Sequence, residues 1–313
     1  SVANAGSLGS GVVAMTPDEL ADVAEAHAKN NRALLDTSVA VGSVGGAFDV
    51  DHYGTFHYSI PVWTSPGRAG VQPELSLDYS SGSPNSMLGA GFTLSGLSKI
   101  APCFSNFEDD GARALEDISP EGKRCLDGVE LVEVESRFST SPKVERWFQQ
   151  AIADRHGGGL YVDKVYRTSP DSLVQVERVV DRTGNPLYYW ASTKGGRQLV
   201  FGRPGSGDGP SLTEFPLTQV IDRNGNYLEI RYERVFGWSQ LDGHRYVAEE
   251  YPTKIDYTGS YATGAPPERV VLFNYRERPD KRYAASPFGE RHLLKRLESI
   301  NSYGPNNELA RSY

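Results

Sequence analysis

The sequence predicts a mainly β fold of successive antiparallel hairpins forming an extended curved sheet or sandwich-like layers, with one helix near the N-terminus. Three observations lead there. Phe56, Tyr58, Ile60 and Val62 alternate with Thr55, His57, Ser59 and Pro61, and Leu75, Leu77 and Tyr79 repeat the pattern. A period of two is what a strand shows when one face is buried and the other is wet. The 33 Gly and 19 Pro imply many turns, while 17 Tyr and 12 Phe suit strands better than helices. Finally, Val179-Val180-Asp181-Arg182-Thr183-Gly184-Asn185 is matched later by Val220-Ile221-Asp222-Arg223-Asn224-Gly225-Asn226. Each copy is an apolar strand end, a turn, and an aromatic-rich strand, so each reads as one hairpin. Gly184-Asn185 and Gly225-Asn226 supply the positive φ that a tight hairpin needs, and Asp181 and Asp222 cap the turns through the local backbone. Serial hairpins of this kind form arrays that grow by adding strands.

In chain order, residues 1–15 are small and Gly/Ser-rich and read as a flexible leader. A helix is predicted over residues 16–36. Thr16 can cap it, Pro17 takes the first helical position and Glu19 completes a capping box. Its apolar side, Leu20, Val23, Ala24 and Ala28, is thin. A β domain is predicted over residues 45–313. Ser65-Pro66-Gly67 and Gly70 to Pro73 make a turn region between its first strands. The segment around Asp109, Asp110 and Asp117 is acidic and irregular, and Trp147–Ile152 fits helix or strand equally. Strands are expected at Val129–Val134, Leu160–Arg167 and Leu173–Val180, and Pro204–Pro210 reads as a loop. Lys254–Tyr257 and Val270–Tyr275 form a further hairpin across a Gly/Pro-rich link.

The stretch from Gly46 to Cys103 resembles the start of the SpvB-type N-terminal domain, found in insecticidal toxin-complex B components and related Rhs (YD-repeat) proteins. The agreement runs through Phe48, Val50, Gly54, Tyr58, Pro61, Gly67, Gln72, Pro73, Leu88, Gly91, Leu94, Gly96, Leu97 and Ile100. It continues more loosely through Arg124 to Gly128, the two Asp-Arg-x-Gly-Asn turns, Tyr251 to Gly259 and Arg278-Pro279-Asp280. Phe92 stands where the family usually has Trp, and Pro102 where it often has Arg. The resemblance implies a partial Rhs-like shell, in which hairpins coil into a hollow wall. It also implies that residues 45–313 are a fragment of a longer chain. By the same resemblance, His292–Ile300 is a strand.

Composition excludes some functions. A net charge of −8 is wrong for a nucleic-acid backbone partner, which needs a basic face. No apolar run reaches the roughly 18 residues of a membrane span, and no signal peptide is visible. Cys103 and Cys125 are the two cysteines. They either close a loop or stay as reduced thiols, because redox compartment decides.

Local motifs for catalysis or metal binding are absent. There is no His-Glu-x-x-His, no Cys-x-x-Cys, no Gly-x-Ser-x-Gly and no phosphate loop. His156-Gly157-Gly158-Gly159 imitates an oxyanion loop, but without a nucleophile elbow it reads as a Gly turn. Asp49, Asp51 and Gly54 start a calcium-loop pattern that fails at Tyr53 and Ile60, so a solvent-facing turn at a strand end is expected. No metal, no cofactor and no enzymatic activity are therefore expected. By resemblance, the expected role is a structural segment of a shell that encloses and helps deliver a toxic polypeptide. Its partners would be the rest of the same polypeptide or a cognate toxin subunit, and its location extracellular. The alternative is a secreted module that holds a glycan or partner protein on an aromatic face at Tyr188, Tyr189 and Trp190.

Overall fold

The chain divides into two compact units, residues 1–44 and 45–313. The computed structural model describes residues 46–103, 122–140, 160–202, 214–238, 245–286 and 289–313, all in the second unit. The leader, the helix expected at 16–36, the acidic segment at 109–117, Trp147–Ile152, His156 and the 204–210 loop lie outside the described residues. The described residues are mainly β and contain no helix.

The strands are β1 (Ala47–Val50), β2 (Phe56–Val62), β3 (Leu75–Ser80), β4 (Asn85–Ser86), β5 (Gly89–Ala90), β6 (Phe92–Ser95), β7 (Lys99–Pro102), β8 (Arg124–Leu126), β9 (Val129–Thr140) and β10 (Tyr161–Ser169). They continue as β11 (Gln175–Val180), β12 (Pro186–Ser192), β13 (Gln198–Phe201), β14 (Phe215–Ile221), β15 (Asn226–Trp238), β16 (Arg245–Ser260), β17 (Arg269–Ser286), β18 (Gly289–Tyr303) and β19 (Leu309–Ser312). A four-stranded sheet runs β1-β2-β3-β6, and β4-β5 is a small hairpin. The alternation read from the sequence sets the first register. Val62 lies opposite Leu75, Ile60 opposite Leu77 and Tyr58 opposite Tyr79. Leu77 then faces Leu94, and Tyr79 faces Phe92. One face of this sheet is apolar from edge to edge, and its Val62–Leu75 end enters the main core.

The remaining strands do more than extend a sheet. β7 to β14 pair in sequence order, and β14 returns to β7 through Phe215 opposite Ile100 and Pro216 opposite Lys99. The result is a closed eight-stranded up-and-down barrel, which the sequence did not foretell. β14 pairs β13 along one edge from Leu217 to Ile221. Its other edge is divided between β7 and, from Gln219 to Ile221, β15. From there the sheet runs on as β15-β16-β17-β18-β19. The expected hairpin is present, with Lys254 opposite Leu272 and Tyr257 opposite Arg269.

Barrels of eight strands leave room only for side chains, and this one is filled. Ile100, Leu131, Tyr166, Val176, Tyr189, Phe201 and Phe215 share one cluster with residues of the long sheet. Arg124 on β8 hydrogen-bonds Tyr189 on β12, half-way round the ring, so this face is the lumen. Tyr189 also meets the Phe215 ring edge-on at 4.9 Å.

The two repeat turns fold identically. Asp181 donates its N–H to Asn185 O at 3.1 Å, and Gly184 donates back to Asp181 O at 3.1 Å. The same pair of bonds joins Asp222, Asn226 and Gly225 at 2.9 and 3.1 Å. In both, the Asp Oδ1 accepts two more backbone N–H groups, and the glycine has φ near +80° (84° and 79°). This is a three-residue hairpin loop with a left-handed closing residue. Asp51, Gly54 and Thr55 make a third copy, so the failed calcium pattern is turn chemistry. Thr193 to Arg197 and Gly304 to Glu308 repeat the backbone bonds with other residues.

Cys103 and Cys125 are joined, with Cα atoms 5.7 Å apart and 22 residues apart in sequence. The bridge ties the end of β7 to β8, where Ala101 faces Cys125.

Two outcomes follow. Burial works to raise the Asp181 carboxyl, but hydrogen bonds from Thr183 and Asn185 outweigh it and bring it to about 2. Its contribution is therefore full above the ordinary 3.8 and is lost as pH falls toward about 2. Asp181→Ala should cost roughly 1 kcal/mol at neutral pH, and urea denaturation should show the gap to wild type closing at about pH 2. The Cys103→Ala/Cys125→Ala pair should lose roughly 3 kcal/mol in the loop-entropy account, read as a lower denaturation midpoint than the oxidised protein.

Candidate functional site: the barrel seam and the clamp on the long sheet

At the seam the closed barrel and the open sheet share β14, and charges from five elements meet. Glu214, just before β14, pairs with Lys99 of β7 at 3.4 Å and with Arg291 of β18. Arg234 of β15 pairs with Glu250 of β16 close by. Burial alone would raise the Glu214 carboxyl, but the Lys99 charge and the Arg291 hydrogen bond and charge hold it below its ordinary value. For Glu250, burial outweighs Arg234, and its carboxyl is raised. The two carboxylates are thus shifted in opposite directions. Buried ions persist only when paired, and here the pairing fixes how the sheet leaves the barrel.

Inside the barrel, Arg178 is 2% exposed and donates to Asp163, with Nε–Oδ1 at 3.0 Å. A bulge between Val162 and Lys164 puts Asp163 out of register, and bulges re-aim side chains in this way. The pair fills space and cancels charge. Among the described residues, no group of three or more His, Cys, Asp or Glu side chains is placed to hold a metal ion.

Tyr188, Tyr189 and Trp190 require a correction. They are 1%, 1% and 0% exposed, so they cannot offer an aromatic face to a glycan or partner. Tyr189 points into the lumen cluster, and Tyr188 and Trp190 into a second buried cluster with Val162, Val179, Val200 and Ile221. β12 is covered on both sides, which is why Pro186 to Ala191 carries no polar alternation. The repeat-turn residues Asp181, Gly184, Asn185, Asp222, Gly225 and Asn226 lie at hairpin ends, and the Cys103–Cys125 bridge lies at the barrel rim strands. These predicted residues do not converge on one point.

The Arg278-Pro279-Asp280 segment acquires a role that the sequence did not show. The β17–β18 register jumps from Glu277 opposite Lys295 to Arg282 opposite Leu293, so residues 278–281 bulge outward. From the bulge Arg278, 4% exposed, donates to Ser86 O at 2.6 Å, Asn85 Oδ1 at 3.1 Å and Asp280 at 2.9 Å. Leu297 N–H reaches Met87 O at 2.8 Å. The β4–β5 hairpin is thereby clamped onto the long sheet. A Pro inside a strand pattern marks bulges and edges, and that was the available signal.

With this geometry in place, the comparisons with known proteins are specific. A family model described as Salmonella virulence plasmid 65kDa B protein (SpvB) matches residues 50–106. The structure of TcdB2-TccC3 aligns with a TM-score of 0.66 at 16% identity, covering 87% of this chain and 15% of that one. The Photorhabdus luminescens Tc holotoxin pore aligns with a TM-score of 0.65 at 16% identity, covering 85% of this chain and 14% of that one. The N-terminal domain of effector protein SpvB from Salmonella typhimurium strain LT2 gives 0.57 at 17% identity, covering 78% of this chain and 88% of that one. No curated protein sequence matches. The resemblance to the SpvB-type N-terminal domain is borne out by the family model and by the shared fold. The chain spans about 15% of the length of TcdB2-TccC3.

Because Asp280 is exposed, deleting Arg278 strands no buried charge. Arg278→Ala should therefore cost about 2 kcal/mol, the range for lost charged hydrogen bonds to buried backbone. Hydrogen exchange should speed up at Leu297 and across 85–90, leaving β10–β12 unchanged.

Proposed function

We propose that residues 46–313 are a non-catalytic wall segment of an Rhs-type or toxin-complex B-type assembly. In that reading the segment contributes sheet to a shell enclosing a toxic polypeptide, works outside the producing cell, and meets the rest of its own polypeptide or a cognate toxin subunit. The observation that carries this is the closed barrel whose seam strand hands one edge on to a long antiparallel sheet. A closed barrel has no free edge, and a long sheet pairs its backbone internally. Such a surface excludes water and proteases without chemistry. The shared fold with TcdB2-TccC3 supports the reading, as does the family match at residues 50–106. So does the balance of charge, since the ionic clusters of the seam and lumen have structural partners.

The test uses the natural polypeptide that contains these residues, intact and with residues 46–313 deleted. Limited proteolysis should leave the remaining polypeptide resistant in the intact form and cleaved in the deleted form. Equal resistance of the two would end the proposal, as would a natural polypeptide with nothing further to enclose.

A further inference from the structure

Between the four-stranded sheet and the seam lies an aliphatic chamber of about 130 Å³. Its floor is a row of directly opposed residues, Leu199 on β13, Val220 on β14 and Leu228 on β15. Its roof is Val71, Pro73 and Leu75, the buried members of an alternation that turns Gln72 and Glu74 to the other side. The backbone of Glu74 passes Gly96 so closely that a Cβ on Gly96 would lie 1.9 Å from Glu74 O. That close passage fixes where the roof runs. Packed interiors close aliphatic voids, because an unfilled one destabilises in proportion to its volume. This one stays open. An apolar cavity of about 150 Å³ stays dry and admits benzene, so the chamber has room for a branched alkyl group of about five carbons.

One charge is placed at the chamber by a hydrogen bond. Arg197 closes the β12–β13 hairpin, its O accepting Thr193 N–H at 2.9 Å. It precedes Leu199 by two residues, so the two side chains share a face. From that face Arg197 crosses to the roof, where Nη2 donates to Gly70 O at 3.3 Å, next to Val71. Arg197 is exposed, lines the chamber, and has no ion pair among the described residues. The guanidinium thus stands where the apolar wall meets water. Its fork carries more N–H donors than one neutral carbonyl can use, and that fork matches a carboxylate. Gln72 does not compete, because its Oε1 accepts Gly67 N–H at 2.9 Å. We propose that the chamber binds a short branched aliphatic carboxylate. The alkyl group lies between the Val71 roof and the Val220 floor, and the carboxylate takes the Arg197 guanidinium at the mouth.

The experiment is a titration of the folded protein at neutral pH with 4-methylpentanoate, 4-methylpentanamide and acetate, followed by amide nuclear magnetic resonance shifts. 4-Methylpentanoate should bind saturably and move the Gly70, Val71 and Leu199 amides. It should bind at least tenfold more tightly than the amide, which keeps the shape without the charge. The same margin should hold over acetate, which keeps the charge without the alkyl group. Arg197→Gln, a surface change, should weaken 4-methylpentanoate at least tenfold with unchanged circular dichroism. Leu199→Phe, which fills the chamber from its partly buried side, should abolish binding. No saturable binding of 4-methylpentanoate overturns the site. Amide binding as tight as the acid, or acid binding untouched by Arg197→Gln, overturns the head-group assignment and with it the proposal. Acetate binding as tight as the acid, or acid binding that survives Leu199→Phe, overturns the chamber.

Discussion

Every strand has two edges of backbone donors and acceptors, and β14 distributes one of its edges between two neighbours. The half from Phe215 pairs with β7 and closes the barrel, while Gln219 to Ile221 pair with β15 and open the long sheet. Neither β7 nor β15 could take the whole edge without undoing the other element. The side chains at the division are correspondingly constrained. Leu217 and Phe215 face the shared core, Leu217 N–H reaches Ser98 O at 2.8 Å, and Glu214 anchors Lys99 and Arg291 immediately before the strand. Two architectures share one backbone hydrogen-bond ladder, so stability lost at the seam is felt in both.

Turn chemistry supplies the second constraint. Three Asp-x-x-Gly loops and two relatives share the same closing bonds. Each spends one Asp, Thr or, in the Gly304 loop, Glu308 side chain on local caps and one left-handed residue on reversal. Asn307 takes the left-handed place in the last loop, with φ at 58°. Asn is among the few L-residues that tolerate it. The loops reverse the chain within three residues. Two of them, at 181–185 and 193–197, join β11 to β12 and β12 to β13, which keeps those barrel pairings local.

How much was legible in the sequence depended on range. The alternation in Phe56–Val62 and Leu75–Ser80 gave strand, register and buried face, because side-chain period is a local property. The Asp-Arg-x-Gly-Asn loops were legible for the same reason. Thr193 to Arg197 lacks the Asp signature because Thr takes the capping role. Closure of the barrel left no local trace, since it joins Ile100 to Phe215 through a two-residue contact. The aromatic face at Tyr188–Trp190 belongs only to the alternative reading; cross-strand packing is the commoner fate of such residues, and here they are buried. An unbroken apolar run is instead the mark of a strand buried on both sides, and the absence of polar alternation from Leu187 to Ala191 carried that message. Arg278 carries no sequence signal beyond the resemblance, because a clamp spanning 192 positions to Ser86 has no spacing signature.

The ionic groups bear directly on how the segment keeps its shape. Arg178 is nearly sealed from solvent and engaged by Asp163, and Arg278 is saturated by backbone, Asn85 and Asp280. Tyr166 and Tyr189 have phenols raised chiefly by burial, which keeps them neutral. These groups hold shape. Desolvated, paired charges add little net stability over apolar packing, but they penalise any alternative register that would part them. A sheet built from near-repeating hairpins needs that discrimination, because one-residue slips would otherwise exchange its two faces.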